Sequence, residues 1–164
     1  MDTPDTEVRL HVVQLLESYH EREQKIALLR YELAHPVNIT QNEVIDSMSL
    51  GHGDSMTYSR GHISNKTLYI ALNYQERAKQ LNADSRNEIV RQLTELEHEQ
   101  DRLTYYVSIL EPPLREIIQD AYFKGKSWDD IAKKFEVARR TAHKIRKRAI
   151  ERLTALYEYA DGLR

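Results

Sequence analysis

Cysteine is absent from this chain of 164 residues. No disulfide framework and no thiolate metal site can therefore be built, and a reducing, cytoplasmic setting suits it. Glycine (5) and proline (4) are scarce, which excludes collagenous and low-complexity classes and argues against the many tight turns of a β-barrel. No apolar run approaches the roughly 18 residues that a membrane span needs, so no membrane partner is expected. The opening stretch, Met1 to Leu10, is acidic and lacks the basic-then-apolar layout of a signal peptide. Catalytic signatures are missing too. There is no G-x-S-x-G, no phosphate-binding G-x-x-x-x-G-K-[ST] and no G-x-G-x-x-G, so we expect no enzyme, no catalytic residue and no cofactor. The 7 histidines include His52 and His62 near Asp54. Their spacing fits no metal signature, and a solvated loop is the expected setting. A net charge of one sign is lacking as well, with 24 Lys+Arg against 26 Asp+Glu for a total of −2.

What is present is helical periodicity. Val8, Val12, Leu15, Tyr19, Ile26, Leu29 and Leu33 step by threes and fours, with Arg22 filling the one gap. This predicts a helix from about Glu7 to Ala34 with a coiled-coil-like seam. His35-Pro36 ends it, because proline disfavours helical geometry in the residue before it. Thr40 followed by Glu43 is a capping box and predicts a short helix over 41–48. The stretch from about 50 to 64 holds Gly51, Gly53 and Gly61 and reads as a flexible loop. From about Asn65, capped by Ser64 or Asn65 itself, the helical pattern resumes and runs to Leu110. It includes the heptad row Ile89, Leu93, Leu96, Gln100, Leu103, Val107, Leu110, with Gln100 the polar member. Residues 82–87 form a weak-propensity patch, a place for the helix to kink or break. Two such helices predict an antiparallel hairpin, and their long apolar stripes predict a homodimer or higher assembly.

The last third is built differently. Leu114, Ile117, Ile118, Ala121 and Tyr122 outline one amphipathic helix, and Lys124 to Lys126 a turn. Ser127 can cap the next helix, whose apolar face is Trp128, Ile131, Ala132 and Phe135. Glu136 to Ala138 form a tight turn plugged by Val137. A basic helix with Ala142 and Ile145 inward then begins at Arg139. Two helices, a small residue at their crossing and a short turn make a helix-turn-helix. The second helix would show Arg139, Arg140, His143, Lys144 and Lys147 to the major groove, where Arg and Lys match guanine acceptors and phosphates. Lys133 and Lys134 would flank a phosphate, and the run Lys144, Arg146, Lys147, Arg148 is expected on the DNA side. Glu136 stands where such turns often carry glycine, and Ala138 where a Ser or Thr cap is usual. The tyrosines, Tyr105, Tyr106, Tyr157 and Tyr159 among them, read as core or interface anchors.

The stretch from Ser127 to Leu153 resembles region 4 of bacterial sigma factors. The matching residues are Ser127, Asp130, Ile131, Ala132, Phe135, Glu136, Val137, Arg139, then Arg148, Ala149, Ile150 and Leu153. That resemblance implies a recognition helix entering the major groove of a promoter element, with Arg139, Arg140, His143 and Lys144 facing bases. Residues 1–110 show no likeness to the sigma segment that melts promoter DNA. The layout is similar instead to phage-encoded, sigma-like regulators of the RinA and ArpU type, which implies action on phage late-type operons.

Together these readings give an all-α chain. Residues 1–110 are expected to form a helical hairpin for assembly, with a flexible loop at about 50–64. Residues 111–164 are expected to form a sigma region 4-like helix-turn-helix. The expected function is a DNA-binding transcriptional regulator whose partners are double-stranded DNA and RNA polymerase. A phage packaging protein of the small-terminase kind, or a module that binds only RNA polymerase, are the alternatives. Charge supports the division. Residues 111–164 hold 13 Lys+Arg against 9 Asp+Glu (+4), residues 1–110 hold 11 against 17 (−6), and Lys133–Arg152 hold 9 against 2 (+7). The neutral total hides a basic segment joined to an acidic one.

Overall fold

The computed structural model describes residues 4–40, 42–44, 46 and 65–163. The expected loop at 50–64, half of the short helix at 41–48 and the histidines at 52 and 62 lie outside the described residues, while 42–44 and 46 are helical. All regular structure among the described residues is helical, so the chain is all-α. In order these are α1 (Pro4–Glu17), α2 (Tyr19–Ala34), α3 (Asn65–Ser108), α4 (Pro112–Ile118) with a π-helical turn over Gln119–Phe123, α5 (Trp128–Lys134) and α6 (Arg139–Asp161). No described helix is long and apolar enough to cross a membrane.

Local chemistry sets the element ends. The helix expected from Glu7 to Ala34 is interrupted once, at Ser18. There the Ser18 Oγ donates to the Gln14 carbonyl (2.6 Å) beside the Ser18 N–H (2.9 Å), and the Arg22 guanidinium takes the Leu15 carbonyl (2.7 Å). The capping box at Thr40 forms in both directions: Thr40 N–H donates to Glu43 Oε2 (2.8 Å) and Glu43 N–H to Thr40 Oγ1 (3.4 Å). Helix α3 runs unbroken for 44 residues. The helix does not break at 82–87, because weak propensity over one and a half turns is a small penalty within a long cooperative helix. Pro112 sits in the first turn of α4, where its missing N–H costs nothing.

The chain forms two compact units, and they do not divide at residue 110. One contains residues 1–27 and 94–164, the other 28–93. In the first, α1 lies along α6. Val12, Leu15 and Leu16 of α1 share a buried cluster with Leu103 and Val107 of α3, Ile117 and Ile118 of α4, Ile131 of α5, and Leu153 and Tyr157 of α6. Tyr19 stacks on Phe123 of the π turn with ring centres 4.1 Å apart. The two polar interruptions of the apolar rows meet here: buried Arg22 donates from Nε to Oε1 of buried Gln100 (2.7 Å). Arg22 also donates to Ser18 Oγ and to the Leu15 carbonyl, both at 2.7 Å. In the second unit Ile39 N–H donates to Asn82 Oδ1 (3.1 Å). Of the heptad row, Leu93, Gln100, Leu103, Val107 and Leu110 are buried within the single chain. That stripe is therefore covered and does not by itself call for a second copy.

Candidate nucleic-acid interface

Helix α5 starts where the sequence says it should. Ser127 Oγ accepts from the Asp130 N–H (3.2 Å) and donates to Asp130 Oδ2 (2.7 Å). The helix ends in a Schellman turn. Glu136 N–H donates to the Lys133 carbonyl (3.1 Å) and Val137 N–H to the Ala132 carbonyl (3.0 Å). Glu136 takes the left-handed conformation, φ 52°, where a side chain costs about 1 kcal/mol relative to glycine. Ala138 then opens α6 without a side-chain cap.

The expected core residues of this segment divide into two layers. Ile131, Ala132 and Ala142 are buried, while Trp128, Phe135, Val137 and Ile145 pack on the cluster and remain partly exposed. Trp128 forms the joint between the helices. The His143 ring lies 4.4 Å from it, tilted by 38°, and the Arg146 guanidinium lies 5.8 Å from the indole.

Of the expected contact residues, Arg139, Arg140, Lys144, Lys147 and Lys133 are exposed. Arg140, Lys144 and Lys147 follow the four-then-three step of one helix stripe, so their side chains share a free face of α6. His143 is half-buried against Trp128 and sits at the edge of that face. Arg139 pairs with Asp129 at 3.6 Å across a shallow notch lined by Ala132, Lys133, Glu136 and Val137. Two basic residues depart from expectation. Arg146 turns inward and donates from Nε to Tyr122 Oη (2.6 Å). The alternation of charges in the run 144–148 hides which face each residue takes, and Arg146 falls on the side toward α4 and α5. Lys134 is held within the protein by Asp120 (2.5 Å) and Glu116 (3.5 Å).

Asp120 is the residue that sequence reasoning missed. It belongs to the π turn, where Lys124 N–H donates to the Gln119 carbonyl five residues back (2.9 Å). Asp120 is fully buried there. Its carboxylate accepts from Lys124 (3.0 Å) and Lys134, with Lys126 at 3.2 Å. Burial alone would raise its pKa. The hydrogen bonds from Lys134, Lys124 and Lys126 outweigh it and hold the group down at about 2. The signal in the sequence was the lysine triplet around one acid, Lys124, Lys126 and Lys134. This pin fixes α5 against α4, and so fixes the notch.

Because the folded pKa lies below the ordinary 3.8, the stabilisation is present above pH 4 and disappears as pH falls toward 2. The shift corresponds to about 2 kcal/mol. Asp120→Asn is expected to lower stability by about 2–3 kcal/mol at pH 7. It should also flatten the acid limb of stability against pH between about 4 and 2, read by urea unfolding at each pH.

Among the described residues no cluster of His, Asp or Glu could hold a metal ion. Comparison with known proteins found no matching family model, no matching curated protein and no matching solved structure. The chemistry of this face therefore carries the functional reading.

Proposed function

We propose that the chain is a sequence-specific, double-stranded DNA-binding regulator of transcription. It would read promoter DNA through α5, the turn and α6 as a helix-turn-helix. The observation that carries this is the exposed cationic stripe Arg140, Lys144, Lys147 on the free face of α6, flanked by Arg139 and Lys133. A helix fits the major groove, and Arg and Lys on such a face supply both phosphate neutralisation and guanine contacts. Among the described residues no ion pair takes up Arg140, Lys144 or Lys147, whereas the neighbouring Arg146 bonds Tyr122 and Lys134 is paired with Asp120. The resemblance of Ser127 to Leu153 to sigma factor region 4 supports the same reading. The RinA and ArpU-like layout extends it to activation of phage late-type genes from the cytoplasm, with RNA polymerase as the second partner.

Fluorescence anisotropy on duplex DNA from upstream of the protein's own gene tests it. The triple variant Arg140→Ala, Lys144→Ala, Lys147→Ala is expected to bind at least about 100-fold more weakly. Each lost phosphate contact should shallow the log–log salt slope by about 1. Equal binding by the triple variant and the wild type would overturn the assignment. A promoter reporter then separates activation from repression.

A further inference from the structure

We propose that Asp129 positions Arg139 for base reading and is thereby a specificity-determining residue of this face. The inference rests on the reading that the face binds duplex DNA.

Arg139 is the first residue of α6. Ala138 before it offers no side-chain cap, and the first turn carries Arg139 and Arg140 with no acid. The positive end of a helix repels cations, so nothing in α6 itself holds the Arg139 side chain at the groove-facing end. Asp129, in the first turn of α5, brings Oδ1 to 3.6 Å from Arg139 Nη1. The Ser127 cap fixes where α5 begins and so where Asp129 stands. The two side chains are 62% and 69% exposed. A pair so open to water adds little to folding. What it sets is the direction of the guanidinium.

That direction matters for recognition. Arg reads guanine by presenting two N–H groups in one plane to O6 and N7. Its fork has five N–H groups in fixed geometry. A carboxylate 3.6 Å from Nη1 draws the guanidinium toward α5 by charge attraction without a hydrogen bond, and so leaves its N–H donors for a base. The same carboxylate is an anion on a cationic face. It disfavours phosphates that approach without the matching base, and so lowers non-specific binding, which is mostly electrostatic.

The wild type first selects a motif from a random duplex library. Anisotropy at fixed salt then compares the selected duplex with a scrambled one for the wild type, D129N, D129E, R139A and D129N/R139A. D129N is expected to lower the selected-to-scrambled affinity ratio about tenfold through loss of preference for guanine at one position, with the scrambled duplex bound more tightly. D129E should recover part of the ratio. In the R139A background D129N should remove no further base preference, a result that a merely structural role would not produce. Melting temperatures should be unchanged. A ratio within about twofold of the wild type for D129N, or an equal loss in the R139A background, overturns the inference while the DNA-binding reading stands. If the wild type enriches no motif, the DNA-binding reading itself fails, and this inference with it.

Discussion

A fragment comprising residues 111–164 is expected to show no cooperative thermal transition. That segment reads as a self-contained domain, yet its core is shared. Val12, Leu15 and Leu16 from α1 and Leu103, Val107 and Leu110 are all buried in the same cluster as Leu153 and Tyr157. Removing six buried aliphatic side chains forfeits on the order of 10 kcal/mol of burial, comparable with the whole stability of a small domain. Tyr157 would also lose the edge of the Tyr106 ring, 4.8 Å away, and the Arg102 guanidinium 4.5 Å above its face. A chain in which a flexible Gly/Ser linker replaces residues 28–93 keeps every member of the cluster. It is expected to unfold cooperatively, which calorimetry would check. A folded 111–164 fragment would show that α1 is an accessory rather than a wall of the core.

The second large effect concerns the paired polar interruptions. Gln100→Leu takes the hydrogen-bond acceptor from the buried Arg22 Nε–H and leaves it only the more distant Glu99 carboxylate at 4.0 Å, and Arg22→Leu strips the bonds to Gln100, Ser18 and the Leu15 carbonyl. Each single change is expected to cost about 3 kcal/mol, a drop of about 10 °C or more in Tm for a unit of this size. The double variant removes both partners of the Arg22–Gln100 bond and should cost much less than the sum. A strongly non-additive double-mutant cycle in urea is therefore the expected result. Additive losses would mean that the two side chains act through separate partners. The pair also explains a choice of register. An α2 slid by one turn along α3 would bury Arg22 without an acceptor, so the bond selects one alignment of two otherwise permissive apolar rows.

Signals confined to a few neighbouring residues were the legible ones. The capping box at Thr40 and the cap at Ser127 form their bonds, α6 starts without a cap at Ala138, and Glu136 takes the left-handed turn its position demands. Both apolar rows were readable as faces, and so were the two polar residues that interrupt them. What covers a face was not. Period alone says that Val12, Leu15 and Leu16 point inward, but not that α6, far along the chain, receives them. The π turn was illegible for a related reason. A π turn leaves no mark in apolar periodicity, so the burial of Asp120 among lysines could not be read from the row Leu114, Ile117, Ile118, Ala121. Arg146 shows the same weakness at the candidate site. A run of basic residues reads as one electropositive stretch, and only the packing of Tyr122 and Trp128 separates the inward arginine from the outward Arg140, Lys144 and Lys147.

The partnership of α1 with α6 has a consequence for the order of synthesis. The apolar side of α1 is complete within the first 17 residues, whereas the helix that covers it starts at Arg139. At 5–20 residues per second the ribosome takes roughly 6–24 s to cross that gap. During that time Val12, Leu15 and Leu16 have no final cover, and closure must wait for a contact of long sequence separation, which slows folding. The apolar side of α1 is thus open to chaperones and to other copies of the chain over that interval, and it closes only once α6 has been made.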